Sequence, residues 1–424
     1  MSETGATAPM ERPGGPRFSR RALLAGTSAA AAGLVTAGII AKGSAFAAAS
    51  DAIAFTGIHQ AGIATPAQER LVFAAFDLTT ASRSELEDLL RTWSAAAARL
   101  TEGQPLEGSA SEWQPPADTG EATGLGSANL TLTVGFGRSM FDRRFGLASR
   151  LPAALVDLPE FPGDQLDPSR SGGDLCVQAC ADDAQVAFHA IHNLARLATG
   201  SAALRWMQVG FNRTSSTSSA QTTPRNLLGF KDGTDNLVAQ DAASFDRFVW
   251  AGEESDQSWM RGGSYLVARR IRTHLEQWAA TSLAAQQDVI GRFKASGAPL
   301  TGHREHDPVK LGAYEPHGGY VIPAGAHIRV AAPQSNGGQR ILRRGYSFAD
   351  GVDPTTGELD AGLFFICFQK DPRAQFIRIQ SSLAYNDALR EYVAHTASAA
   401  FACPPGVAEG GFWGETLFRT SRRT

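Results

Sequence analysis

The stretch Arg70–Thr79, RLVFAAFDLT, runs straight into TASRSELEDLLRTWSAAAARLTEG (80–103), and this junction decides the fold. The first part is an unbroken apolar run of strand length, the pattern of a strand buried on both faces. Ser82 and Glu85 then stand at capping-box spacing. Behind them Leu86, Leu89, Leu90, Trp93, Ala97 and Leu100 form one helical stripe, with Gly103 as its stop. Working outward, strands are expected at Leu130–Gly137, Asp174–Ala181 and Leu204–Phe211, with a helix over Asp182–Ala198. The order β-α-β, β-α-β is the ferredoxin-like signature.

The same order recurs in the second half. Gly263–Arg272 reads as a strand, and Thr273 with Glu276 opens a helix carrying Leu275, Trp278, Leu283 and Ile290. Short strands are expected at His327–Ala331, Gln339–Ser347 and Leu363–Gln369, then a helix capped by Asp371 with Pro372 in its first turn. The expected fold is α+β, two ferredoxin-like domains (48–211 and 212–424) packed in the manner of a dimeric α+β barrel. The Ser/Thr-rich segment 212–225 is expected to be an exposed connection, and 297–324 an irregular loop.

The chain has 424 residues, net charge −3 and 43% hydrophobic residues, enough apolar material for two cores and no basic surplus to suggest a nucleic-acid partner. Cys176 and Cys180 lie four residues apart on an expected strand, roughly 13 Å, too far for a disulfide. Buried thiols are expected. With no Cys-x-x-Cys-His, covalent haem attachment is not indicated. Near the N-terminus, Ser19-Arg20-Arg21-Ala22-Leu23-Leu24 precedes an Ala/Gly-rich apolar run to Ile40, and Ala45-Phe46-Ala47 places small residues where a signal peptidase reads. Residues 1–47 resemble a twin-arginine (Tat) export signal. That implies the Tat translocase as a partner, a mature start near Ala48, and a periplasmic or extracellular location. A membrane anchor is the competing reading, since the run is nearly long enough to span.

Three stretches carry chemistry: GFKDGTDN (229–236), GAHIR (325–329) and ILRRGY (341–346). Two glycines bracket Asp232, letting the backbone turn tightly and approach a flat ligand. Alone, such a loop means no more than a turn. Imidazole is the proximal ligand of haem in globins and peroxidases, and His327 follows a glycine that opens space. His317, in another Gly-rich loop, is its rival among nine histidines. His303 and His306 lack a third zinc ligand. Arg343, beside Asp232, would keep that carboxylate ionised. Asp232 could then take a proton from hydrogen peroxide and pass it to the departing oxygen, while the guanidinium stabilises developing negative charge. No Walker loop, Gly-x-Gly-x-x-Gly or Gly-x-Ser-x-Gly supports a nucleotide or serine-hydrolase reading.

These stretches, with HQAGI (59–63), GGSYLVARRIR (262–272), ILRRGYSF (341–348) and LDAGLFFICFQ (359–369), resemble the dye-decolorizing (DyP-type) peroxidases, nearest the Tat-exported branch that includes the deferrochelatases. They span almost the whole mature chain in family order. The resemblance implies two ferredoxin-like domains and one non-covalent haem b per chain, held in the C-terminal half. It implies His327 as proximal iron ligand, Asp232 and Arg343 as catalytic pair, and haem contacts from Gly233, Thr234, Asp235 and Arg343. Hydrogen peroxide would oxidise dyes, phenols or other one-electron donors; the alternative is release of iron from haem with the porphyrin intact. A homo-oligomer is compatible with it. Where the family often shows Ala-Asn-Pro-Arg, this chain has Ala331-Ala332-Pro333-Gln334, so Arg329 is the expected substitute for propionate charge. Asp360 is the expected hydrogen-bond partner of His327. Tyr346, Trp250, Trp259 and Trp278 are the expected exits for electrons from bulky donors.

Overall fold

The computed structural model describes residues 51–108 and 111–419; the export signal expected at 1–47 lies outside the described residues. The first half runs β1 (Arg70–Leu78), α1 (Arg83–Thr101), β2 (Thr131–Gly137), β3 (Leu175–Ala181), α2 (Ala184–Leu197) and β4 (Ala202–Arg213). The second runs α3 (Ala242–Phe248), β5 (Ser264–Thr273), α4 (Leu275–Ala280), α5 (Leu283–Ile290), α6 (His327–Val330), β6 (Leu342–Arg343), β7 (Tyr346–Val352), β8 (Leu359–Gln369), α7 (Phe376–Asn386), β9 (Val393–Cys403) and α8 (Glu415–Phe418).

All nine strands belong to one sheet, ordered β5-β9-β2-β3-β1-β4-β7-β8-β6, and β8 also pairs with β5, closing a barrel. Each half supplies four strands in the ferredoxin-like order: β4-β1-β3-β2 from the first, β9-β5-β8-β7 from the second. The halves join where β4 meets β7 and β2 meets β9. Barrel closure explains the unbroken apolar run of β1. Val72, Ala74 and Phe76 face the layer of α1 and α2, while Leu71, Phe73 and Ala75 face the barrel interior. Cys176, Cys180 and Cys403 also point into that interior, and all four cysteines are free and buried.

Several local expectations fail for physical reasons. Ser82 caps α1 by accepting from the Glu85 N–H (3.3 Å), but Glu85 does not close the box, because its carboxylate accepts from the Thr80 hydroxyl instead (2.5 Å). At α4 the cap is His274, whose side chain makes no capping hydrogen bond. Glu276 there accepts from the Leu359 N–H (3.1 Å), and the helix breaks before Ser282 restarts it as α5. The helix expected at Asp371 begins at Phe376, since Asp371 pairs with Arg373 and the intervening residues turn. The strand expected at His327–Ala331 is instead the short helix α6, His327–Val330, with Ala331 as its C-cap. The Ser/Thr-rich connection is only partly exposed: Ser219, Ala220, Thr222 and Arg225 face solvent, while Thr214–Ser218 are buried. Their polar groups are taken up locally; the Thr214 N–H donates to Gly345 O (2.8 Å) and Ser216 O accepts from Asn236 (3.0 Å).

Candidate active site

Strand parity opens the site. On β5, Val267, Arg269, Ile271 and Thr273 share the outer face; on β8, Leu363, Phe365 and Cys367 do. Toward one end this face meets α7 in a small apolar cluster of Val267, Cys367, Phe376 and Ala384. Elsewhere it borders a cavity of about 890 Å³, within the usual range for ligand pockets. Its other walls include Ile328 on α6, Ile379 and Leu383 on α7, and Asp232, Gly233 and Arg343.

Asp232 is held at every side. Its N–H donates to Pro224 O (2.9 Å). Its Oδ1 accepts from Arg343 Nη1 (3.0 Å) and the Gly233 N–H (2.8 Å), and its Oδ2 from Asn226 Nδ2 (3.1 Å). Gly233 has φ +89°, and a Cβ there would lie 2.8 Å from Ser215 Cα, so the turn requires glycine. Arg343 ends the two-residue strand β6, paired with Cys367 of β8. Its Nη2 donates to Thr234 O (3.0 Å). Asn236 exchanges two bonds with the Arg343 backbone (2.8 and 2.9 Å). The loop therefore fixes arginine and aspartate together, across 111 residues of sequence.

His327 lines the same cavity from the start of α6. Its Nδ1 bonds Asp387 Oδ2 at 2.6 Å, leaving Nε2 without a protein partner among the described residues. Burial pushes its pKa down, but the Asp387 carboxylate more than offsets this and raises it. Asp387 is itself fixed, since its other oxygen accepts the Leu389 N–H (2.9 Å).

Some expected residues sit elsewhere. Asp360 faces the barrel side of β8, where it accepts from Arg270 Nη2 (2.8 Å); Asp387 is the partner of His327. Arg329 does not line the cavity. Its guanidinium donates to the carbonyls of Ile322, Pro323 and Leu311 and lies 4.2 Å from the Tyr320 ring centroid. Thr234 lines the cavity with Gly233, and its hydroxyl donates to Glu305 (3.2 Å). Asp235 also lines it, its carboxylate turned to Arg340 (2.9 Å). His317 is exposed and outside the cavity wall. Tyr346, Trp250, Trp259 and Trp278 are all buried, so none offers a surface to a bulky donor. Exposed aromatics include Trp113, Tyr314, Tyr320 and Tyr385.

Sequence reasoning missed Asn226, Asn236, Asp387 and Glu305. Asn236 stood within the quoted loop and could have been flagged as an Asx-type anchor. Asp387 carried no local signal. Glu305 bridges Lys231 and Thr234, the neighbours of Asp232 on either side of the Asp-Gly turn.

Among the described residues no group of three or more His, Cys, Asp or Glu could chelate a bare metal ion. A single carboxylate-backed imidazole suits a metal that brings its own ligand frame. Apolar walls, one carboxylate-backed histidine and several guanidinium groups fit haem, with its apolar disc and anionic edge.

Fold and cavity together define a barrel of two ferredoxin-like halves with a cavity whose lining fits haem. The chain belongs to the Dyp-type peroxidase family: residues 60–212 match the model of its N-terminal part and 223–408 that of its C-terminal part. The family's peroxidases depend on haem. The chain is 40% identical to a dye-decolorizing peroxidase of Thermobifida fusca over 373 residues, covering 85% of this chain and 84% of that one. It is 38% identical to the deferrochelatase of Escherichia coli over 371 residues, 86% and 87% of the two chains. Among solved structures it is similar to a DyP-type peroxidase from Streptomyces coelicolor, with TM-score 0.80 and 44% identity over 88% of this chain and 98% of the other.

Proposed function

We propose that this enzyme is an exported haem b peroxidase, with one non-covalent haem per chain, that uses hydrogen peroxide to oxidise dyes, phenols or other one-electron donors. The observation that carries this is the Asp232–Arg343 pair, 3.0 Å apart, sharing one cavity with the Asp387-backed His327. Bound haem supplies the iron centre at which peroxide takes up two electrons, with two protons, to leave two waters. His327 would hold the group through Nε2, and the Asp387 bond to Nδ1 would make that nitrogen a stronger donor. Asp232 moves the proton. Its Oδ1 already accepts from Arg343 and Gly233, whereas Oδ2 accepts only from Asn226 and retains a lone pair for the peroxide proton. Arg343 orients that carboxylate and offsets negative charge as the O–O bond breaks.

Export by the Tat pathway is part of this reading and rests on the paired arginines and the Ala45-Phe46-Ala47 site. An absorption spectrum of the purified protein before and after one equivalent of hydrogen peroxide tests the peroxidase reading. A Soret band that shifts and then returns on adding a phenol supports it; a band indifferent to peroxide overturns it. The similarity to a protein named deferrochelatase keeps iron release as a second reading. Anaerobic incubation with haem decides that point, since free protoporphyrin appears only if iron is removed.

A further inference from the structure

Five arginines line the cavity: Arg269, Arg292, Arg340, Arg343 and Arg390. Three have a carboxylate. Arg269 pairs with Asp164, Arg340 with Asp235 and Arg343 with Asp232. Arg390 is exposed to water. Arg292 has neither. It is 7% exposed and, among the described residues, forms no ion pair. Its Nη1 donates to the carbonyls of Gly297 (2.7 Å) and Glu305 (3.0 Å). Its Nε and Nη2 have no protein acceptor among the described residues. A buried cation without a counter-ion is expensive, and here a second cation adds to the cost. Burial and the nearby Arg343 charge both depress its pKa, against smaller opposing pulls from Asp235 and Glu305.

Its position says what would relieve this. Arg292 follows Gly291, the left-handed cap of α5, and a Cβ on Gly291 would lie 2.7 Å from Ile328, the neighbour of His327. On its other side the charges it feels belong to Asp235, Glu305 and Arg343. Arg292 thus stands between the histidine wall and the aspartate wall. A flat group held between those walls presents its edge there. Ala332 and Gln334, also on the cavity wall, carry no charge that could serve instead.

We propose that Arg292 receives a propionate carboxylate of the haem through Nε and Nη2, fixing the in-plane orientation of the disc. The proposal rests on the haem reading above. Two parallel N–H···O bonds from a guanidinium fork suit a carboxylate in geometry and charge.

The test compares protohaem with its dimethyl ester, which has the same ring and iron but no carboxylates. Each is loaded into the full-length protein, and its loss is timed by transfer to excess apomyoglobin. Arg292→Met should release protohaem at least about tenfold faster than wild type, the loss of a charge-assisted bond. It should leave release of the diester unchanged. Arg292→Lys, which keeps the charge and disturbs the fold less, should accelerate protohaem alone and by a smaller factor. If either variant releases both haems equally faster, the residue is structural and the proposal is overturned. No acceleration of either haem overturns it too. Wild-type protein that forms no Soret band with protohaem would instead remove the haem reading, and this proposal with it.

Discussion

The two halves share one topology and use it in opposite ways. In the first, α1 of 19 residues and α2 of 14 seal their face of the sheet with a core that includes Trp93, Leu90, Val134 and Leu194. In the second, the equivalent face is covered by α4 and α5, a helix broken in two, and by the 11-residue α7. The packing there divides into two small clusters, one around Val267, Cys367 and Phe376 and one around Phe230, Trp278 and Ile290, with a cavity bordering both. One half therefore spends its apolar surface on stability, and the other leaves a gap that a flat cofactor can fill. Asp232, His327 and Arg343 all border that cavity.

Breaking the gap should cost function first. His327→Ala should abolish stable haem retention, whereas His317→Ala should not alter it; titrating apo-protein with haem and following the Soret band distinguishes them. A normal histidine-ligated spectrum in His327→Ala, with loss in His317→Ala, would reverse the assignment. Breaking the sealed half should cost stability instead. Trp93→Ala removes a fully buried indole whose N–H bonds Leu194 O (2.8 Å). It should lower unfolding free energy by about 3–5 kcal/mol while leaving the peroxide rate per folded molecule unchanged. Leu383→Ala, which already borders the cavity, should cost the apo-protein under about 2 kcal/mol. Equal losses in urea unfolding would contradict the division between the halves.

Asp387→Asn should weaken haem binding by about 10–100-fold and raise the haem reduction potential, because the neutral amide supports His327 less. Asp360→Asn, on the barrel side, should leave the potential where it was. The smallest effect concerns Glu305. Burial pushes its pKa up, but the Lys231 ion pair and hydroxyl donors including Thr234 more than offset this, holding it below the ordinary 4.5. A lowered folded-state pKa stabilises the fold above the ordinary value, and that contribution fades as pH falls through the lowered one. Glu305→Gln should therefore be less stable than wild type by about 1 kcal/mol at pH 6. The gap should close below pH 4.5; a gap that widens with acid would show that the carboxylate is not acting through its charge.

The strand and helix order of the first half was legible in the sequence because apolar runs and helical stripes are local signals; in the second half β9 (Val393–Cys403) went unread. Glycine-bracketed turns and a family pattern also singled out Asp232, His327 and Arg343, which the fold brings to one cavity. What escaped depends on distance or parity. Asp387 lies 60 residues from His327 and meets it only through packing of α7 and the turn after it. Asp360 stood in a matching motif, but its place in the two-residue alternation of β8 turns it to Arg270. Segment 212–225 looked solvated by composition, yet its hydroxyls and backbone groups find partners beneath the Asp232 loop. Four helical residues at His327 are too few for a period to show.

The account stands on Asp232 and Arg343 acting on hydrogen peroxide as one unit. Mixing haem-loaded wild type, Asp232→Asn and Arg343→Leu with hydrogen peroxide in a stopped-flow instrument measures this directly, through the rate of the Soret change. Both variants should slow by at least about a hundredfold. Arg343→Leu should be slowed at least as much, because that guanidinium holds both Asp232 Oδ1 and Thr234 O. Both variants reacting at the wild-type rate would contradict the account.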